Sequence, residues 1–311
     1  MALKKYRVAA SCFEPDLTQT IELHRQALGL HITELLKEQS PDLLVLPEVV
    51  IIPDSEKHAS CGSESVNGHT VKMVSQIASD FSVNICIPII EIDNDVLYNT
   101  AVYVNRGGKI AGKYRKIVPT TGEVKKGIRP GNVAQKPIDL DGIRVGTAIC
   151  FDQNFPDLIW NYINSGVDLL VFPSYTYAGR LSQSWAFNCG VPLVCAFPWE
   201  SVIYDRDGSI LAEAGTETST VRFDFHPRWI ACSLNFQSRI YHLDENQNKL
   251  KDIMTRYGQK IDVRLMVRDA RMMITVVSEE IDIDQIEKEF GLLPLQKYLR
   301  ESRTSSGNNI L

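Results

Sequence analysis

Cys150 is the residue of this 311-residue chain best placed to act as a nucleophile. It ends the short apolar run Arg144-Val145-Gly146-Thr147-Ala148-Ile149 and precedes Phe151-Asp152-Gln153-Asn154-Phe155-Pro156-Asp157-Leu158, which reads as the opening of a helix. At a strand-to-helix junction the backbone turns sharply, the side chain projects from the sheet edge, and neighbouring amides stay unpaired. Asn154 is placed to cap the helix and Pro156 fits its first turn. Free N–H groups and a positive dipole end are therefore expected near the thiol, favouring its thiolate. A lone cysteine is ordinarily a buried thiol, so context must decide. Two further polar residues end apolar strands: Glu48 follows Leu43-Leu44-Val45-Leu46-Pro47, and Lys116 follows Gly112-Lys113-Tyr114-Arg115. In a sheet flanked by helices, strand ends on one rim share a crevice where small molecules bind. A thiol, a carboxylate and an ammonium meeting there would supply nucleophile, base and anion stabiliser. Taken singly, Glu48 and Lys116 read as surface charges.

The elements that position these residues follow from periodicity. Residues 6–13 read as a strand, and 17–37 as a helix with Ile21, Leu28, Ile32, Leu35 and Leu36 at helical spacing. Residues 42–46 have the pattern of a strand buried on both faces, and Pro47 ends its ladder. A second helix is predicted over 69–81, then strands over 84–92, 96–105 and 109–116, the last two joined by the turn Arg106-Gly107-Gly108. The loop 118–137, rich in Gly, Pro, Thr and Lys, is long enough to be functional. After the helix opening near Phe155, a buried strand over 168–172 ends in Pro173-Ser174. Segments 183–190 and 191–197, a hairpin about Asp205-Arg206-Asp207-Gly208 and a strand over 230–236 complete this half. Both halves run strand, helix, proline-ended strand and hairpin strands. The expected architecture is α/β, two similar sheets packed face to face with helices outside.

From about Tyr241 the character changes. A polar helix is predicted over 243–257, one long strand over 261–277, and two short helices flanking Gly291 and Pro294, while 302–311 is expected to be disordered. The chain thus divides into a domain over 1–240 and a C-terminal α+β extension over 241–311. The extension carries no nucleophile–base constellation and is assigned to packing or assembly.

Composition narrows the function classes. Hydrophobic residues make up 44% of the chain, ample for a sizeable core, and a net charge of −5 without a basic block argues against nucleic acid or an anionic membrane as partner. A small neutral or cationic partner fits better. The apolar run after Lys4, Lys5 and Arg7 is too short for a signal peptide, and 43–52 is too short to span a bilayer, so a soluble cytoplasmic protein is expected. Seven cysteines without C-x-x-C spacing suggest neither a disulfide framework nor a zinc ribbon.

Over about 6–236 the sequence resembles the carbon–nitrogen hydrolase (nitrilase) family. The resemblance rests on ordered motifs: Leu46-Pro47-Glu48, Leu97-Tyr98-Asn99-Thr100-Ala101, Gly112-Lys113-Tyr114-Arg115-Lys116, and Gly122-Glu123 followed by Pro130-Gly131. It continues through Cys150-Phe151-Asp152 with Phe155-Pro156, Phe172-Pro173-Ser174 and 205–211. What it implies is a four-layer αββα sandwich, a Glu48-Lys116-Cys150 catalytic triad, subunits that dimerise through their helical layers, and no metal or organic cofactor. The sequence departs from the pattern at Ile117-Val118, commonly His-Leu, and at Ser184-Trp185-Ala186-Phe187-Asn188, often Arg-Ala-x-Glu-Asn. The second change puts the usual pocket shape and subunit packing in question.

The residue types suit amide hydrolysis independently of the family. An amide needs an activated nucleophile, an oxyanion stabiliser and an acid for the departing nitrogen. Cys150 supplies the first, forming a thioester. Glu48 takes the thiol proton, returns it to the leaving ammonia and then activates water. Lys116 and the Phe151 N–H hold the oxyanion. Glu123 resembles a second glutamate that many relatives place beside the lysine, although as a loop residue it reads equally well as solvated. Nitrile-cleaving members typically follow the cysteine with Trp-Glu, so Cys150-Phe151-Asp152 looks like the amidase pattern. The expected substrate is a small amide or carbamoyl compound, with N-carbamoyl amidohydrolase and nitrilase as alternatives on the same triad.

Other readings are weaker. Cys61 with His58 or His69 is the one local Cys–His candidate, in a loop without strand-to-helix framing, and it matches no metal-ligand spacing. A non-catalytic assembly module of the same fold is disfavoured by three chemically competent triad residues. Tyr175, Tyr177, Trp185 and Trp199 are candidate pocket residues, although aromatics at such spacing are more often core. The edge of the 261–277 strand requires a partner, so a homodimer or larger assembly is expected.

Overall fold

A computed structural model describes residues 5–14, 16, 19–48, 50, 62–177, 179–214 and 228–307. The first half comprises β1 (Lys5–Ser11), α1 (Ile21–Gln39), β2 (Leu43–Val45), α2 (His69–Phe81), β3 (Asn84–Asp93), β4 (Val96–Val104), β5 (Ile110–Arg115) and α3 (Thr121–Lys125). The second comprises β6 (Ile138–Leu140), β7 (Ile143–Thr147), a 3-10 turn at Cys150–Asn154, α4 (Asp157–Ser165), β8 (Leu169–Pro173), α5 (Gly179–Cys189), β9 (Leu193–Ala196), β10 (Ser201–Tyr204) and β11 (Ile210–Ala214). β12 (Trp229–Asn235) returns to the first sheet beside β1.

The two halves form matching six-stranded sheets, β12-β1-β2-β3-β4-β5 and β11-β10-β9-β8-β7-β6. Period-two alternation explains how they stack. Val8, Ala10, Leu43, Val45 and Tyr103 join the core shared with the second sheet. Their neighbours Ala9, Leu44, Val102 and Val104 pack with Leu28, Ile32 and Leu35 of α1 and Val71 and Val74 of α2. α4 and α5 cover the second sheet's outer face, giving the αββα order. Gly146 lets α4 approach closely, because a Cβ there would lie 2.6 Å from the Tyr162 ring. Both sheets have parallel centres, β1-β2-β3 and β7-β8-β9, so the segments following β2, β7 and β8 emerge on one rim.

The extension builds a third sheet, β13-β15-β14, from β13 (Ser238–His242), β14 (Ile261–Met266) and β15 (Arg271–Val276). Its helices are α6 (Leu243–Asn246), α7 (Leu250–Tyr257), α8 (Ile283–Phe290) and α9 (Leu295–Ser305). Tyr241, Ile253, Met272, Ile274, Ile283 and Ile286 form its own apolar cluster. The single strand expected over 261–277 is instead a hairpin, turned at Val267–Asp269 with Ala270 at φ 52°. The helix expected over 243–257 is interrupted by a 3-10 turn at Gln247–Lys249. Helix α9 runs through Ser305, where disorder was expected, because its face packs on α4: Arg300 donates to the Ile163 carbonyl (2.6 Å) and Arg303 lies over the Trp160 ring (4.2 Å). Arg271 donates to the Phe187 carbonyl and sits 3.8 Å from the Phe187 ring. The departure from the family pattern at Phe187 therefore coincides with a docking point for the extension, which covers this part of the α4–α5 layer. Among the described residues no helix is long and apolar enough to cross a membrane.

Candidate active site

Three strand ends meet on the shared rim. Glu48 lies in the turn after β2 and is buried, held there by Pro47, which ends the ladder. Lys116 follows β5, and its backbone N–H donates to the Asn99 carbonyl of neighbouring β4 (2.8 Å). Cys150 opens the 3-10 turn after β7 with φ 46°, a left-handed conformation that costs a non-glycine residue roughly 1–2 kcal/mol. The surroundings impose this strain on Cys150, whose thiol lies 3.9 Å from Thr176 Oγ1.

The side chains form one network. Lys116, 1% exposed, donates from Nζ to Glu48 Oε1 (2.9 Å) and to Glu123 Oε2 (2.8 Å) and Oε1 (3.0 Å). Asn99 Nδ2 donates to the same two carboxylates, at 2.7 Å to Glu48 and 2.8 Å to Glu123. The Tyr175 N–H, just beyond β8, donates to Glu48 Oε2 (2.9 Å). A carboxylate accepts about four hydrogen bonds, two per oxygen. Glu48 Oε1 is filled by Asn99 and Lys116, Oε2 keeps one site beside Tyr175, and the carboxylate acts on the nearby Cys150 thiol. Glu123 is fixed by a capping box: Thr120 Oγ1 accepts from the Glu123 N–H (3.2 Å) while Glu123 Oε2 accepts from the Thr120 N–H (2.7 Å).

A profile described as "Carbon-nitrogen hydrolase" matches residues 7–224, more than half of the chain. The chain belongs to the carbon–nitrogen hydrolase family. Omega-amidase NIT2 of Homo sapiens is 29% identical over 222 residues, covering 62% of this chain and 79% of that protein. Omega-amidase NIT3 of Saccharomyces cerevisiae is 28% identical over 240 residues, covering 66% and 82%. A protein named nitrilase from Pyrococcus abyssi is 34% identical over 148 residues, covering 45% and 56%. Among solved structures, Saccharomyces cerevisiae Nit3, of the nitrilase superfamily, superposes with TM-score 0.61 at 23% identity, covering 82% of this chain and 96% of that one. An amidase from Nesterenkonia sp. gives TM-score 0.60 at 18% identity, covering 80% and 96%. These structures share the sandwich fold.

Electrostatics in this carbon–nitrogen hydrolase run differently from the sequence expectation at Cys150. Burial, and then the Glu48 carboxylate, push the Cys150 thiol up; Lys116 and the Ser174 hydroxyl pull it down without prevailing. The resting site therefore favours the thiol, not the expected thiolate. Burial alone would lower Lys116, but Glu48, Cys150 and Glu123 outweigh it and raise the ammonium above its ordinary value. Burial works against the Glu123 carboxylate, yet Lys116, Asn99 and the Thr120 N–H hold its pKa below the usual range. Lys116 is thereby held charged, and Glu123 anionic.

The capping expectation is corrected as well. Asn154 donates from Nδ2 to the Phe151 carbonyl (3.1 Å) and does not cap α4; Pro156 holds the N-cap position. The residue that shapes the turn is Asp152, fully buried, which accepts from the N–H groups of Ile149 (2.9 Å) and Val118 (2.8 Å) and from the Tyr114 hydroxyl (2.9 Å). It ties the Cys150 turn to the segment after Lys116. Burial pushes Asp152 up to about 6 against those three donors.

Of the candidate pocket aromatics, Tyr175 and Trp199 form an edge-on pair at 5.2 Å on the rim, Trp199 being 46% exposed. Tyr177 packs on Phe197 against the inter-sheet core. Trp185 is not a pocket residue: it is buried in the core, packed on Tyr162, with its indole N–H donating to the Gln153 carbonyl (3.1 Å). Phe151 is 37% exposed and edge-on to Phe155. Cys61 and His58 of the rival pair lie outside the described residues; His69 opens α2. The sequence reading assigned no role to Asn99, Thr176 or Asp152. Asn99 carried a signal, because an amide within the buried run of β4 must find partners. Thr176 Oγ1, 3.9 Å from Cys150 Sγ, carried none.

Proposed function

We propose that this enzyme hydrolyses a small amide to a carboxylic acid and ammonia through a thioester on Cys150. The observation that carries the reading is the Glu48–Lys116–Asn99 network, buried and closed by the partly buried Glu123, set against a thiol on a strained turn. Cys150 attacks the carbonyl carbon as its proton passes to the free site on Glu48, so a preformed thiolate is unnecessary. An ammonium has three N–H donors; Glu48 takes one, the two Glu123 oxygens share a second, and the third, with the Phe151 N–H, holds the oxyanion. Glu48 then gives the proton to the leaving nitrogen, and the C–N bond breaks to leave the thioester. With ammonia gone, Glu48 takes a proton from water, hydroxide adds to the thioester carbon, and the C–S bond breaks. Cys150 recovers its proton and the acid departs. Glu123 and Asn99 act as positioning residues for Lys116 and Glu48.

The relatives named omega-amidase and the Cys150-Phe151-Asp152 sequence support an amide over a nitrile. Kinetics on matched amide and nitrile pairs, with mass spectrometry of the acyl adduct, test this. An adduct on Cys150 and a larger kcat/KM for the amide are expected; a preference for the nitrile with no amide consumed overturns the assignment. The extension over 241–311 is proposed as a packing and assembly element.

A further inference from the structure

At the end of β7 opposite Cys150, a cavity of about 250 Å³ lies between the sandwich and the extension. Arg144 marks that end; it is six residue steps from Cys150, roughly 20 Å of extended chain. Five cationic residues line the cavity: Arg144 and Arg206 from the sandwich, and Arg239, Lys297 and Arg300 from the extension. The one carboxylate among the lining residues, Asp168, is engaged by Arg144 at 3.3 Å.

The partners of these cations leave capacity for an anion. Arg206, 4% exposed, donates to Asp205 and to the Asn235 carbonyl, each at 3.0 Å, engaging two of the five N–H donors of a guanidinium. Burial first, and Arg239 with it, draw Arg206 down to about 10 against the pull of Asp205. Arg239 donates to the Phe236 and Ser238 carbonyls, with Asp284 and Glu287 at 3.6 and 3.8 Å. Arg300 donates to a neutral carbonyl, and Lys297 has Glu301 at 3.8 Å. Helix α9 also begins here. Pro294 at its N-cap offers no side-chain acceptor, so the positive end of an 11-residue helix adds to the lining. Carboxylates beside the cavity meet part of this charge, Asp207 among them, but Arg206 of the sandwich and Arg239 still repel one another across the junction that holds the extension in place.

We propose that this cavity binds a compact oxyanion carrying two or more negative charges, of the phosphate or polycarboxylate class, which staples the extension to the sandwich. Guanidinium forks from both bodies suit such an anion. The volume falls below the roughly 300–1,000 Å³ of sites for drug-sized ligands, which selects a small occupant.

The test uses the full chain, melted and titrated calorimetrically with sodium pyrophosphate or citrate against sodium chloride at equal ionic strength. A saturable rise in Tm is expected with at least one of the two, about 5 °C at a hundredfold excess over Kd; which anion gives it separates phosphate from carboxylate chemistry. Lys297→Gln with Arg300→Gln, and separately Arg144→Gln, should weaken binding at least tenfold. Arg144 is half-exposed, so its variant keeps the test open if the double variant folds poorly. No rise beyond sodium chloride with either anion, or a rise undiminished in both variants, overturns the proposal.

Discussion

Replacing Lys116 with Met leaves the buried Glu48 and the partly buried Glu123 carboxylates facing one another without their cation. Glu48 and Glu123 would then share only the Asn99 amide between them, at 2.7 and 2.8 Å. Breaking a buried charge cluster by removing one partner costs about 3–5 kcal/mol. A ceiling comes from protonation: neutralising an ordinary glutamate near pH 7 costs about 3.5 kcal/mol, so Glu123 takes up a proton before the repulsion exceeds that. We expect Lys116→Met to lose about 3 kcal/mol near pH 7.5, a large share of a typical stability. The sign of the pH dependence follows. In the unsubstituted protein the Glu123 pKa is depressed, so its stabilisation is present above the unfolded value and lost in acid. In the variant it is raised, so the deficit shrinks as pH falls, by about 1.4 kcal/mol per unit towards pH 5. Urea unfolding near pH 7.5 and 5.5 measures both slopes. Adding Glu123→Gln to Lys116→Met should restore most of the stability while kcat stays at least about a thousandfold down, since the proposed oxyanion donor is still missing. A deficit independent of pH, or a double variant as unstable as the single, refutes the reasoning.

Cys150→Ala and Cys150→Gly should both abolish turnover, but at φ 46° the glycine variant should be the more stable by about 1 kcal/mol, against the usual order. Equal or reversed denaturation midpoints would remove the strain at this turn. Glu48→Gln should also abolish turnover yet speed iodoacetamide alkylation of Cys150 about tenfold near pH 7.5, because it removes the negative charge that raises the thiol. Slower alkylation would show that Glu48 does not hold the thiol protonated. Asp152→Asn turns an NH2 group towards at least one N–H donor, so kcat should fall tenfold or more with little change in KM; an unchanged kcat would leave Asp152 outside the positioning of the turn. Arg271→Ala should destabilise the chain by about 2 kcal/mol through lost contacts to Phe187, and a calorimetric Tm within a degree of the unsubstituted chain would contradict that.

The sandwich was legible because its strands obey period two and its helices carry apolar stripes; the helix predicted over 69–81 coincides with α2. The strand ends at Glu48, Lys116 and Cys150 were legible for the same reason, since proline or a turn follows each apolar run. What failed depends on single dihedrals and distant neighbours. Ala270 takes a left-handed conformation without being glycine, so nothing in 261–277 announced a hairpin. Trp185 looks like a pocket residue until Tyr162 and Gln153 are known to surround it. The thiol's protonation was misjudged because the turn favours an anion locally, while burial and a carboxylate from the other sheet outweigh it.

The hydrogen bond from the Tyr175 N–H to Glu48 joins residues 127 positions apart, one from each sheet. Contacts of such long sequence separation form only after the loop-closure entropy between them has been overcome, so they come late in folding. A nascent chain that has formed only β1 to β5 holds Glu48 and Lys116 but neither the Cys150 thiol nor the Tyr175 N–H that meets Glu48. Activity is thereby a reporter of the last docking event, and regain of turnover in refolding kinetics should lag regain of helical signal.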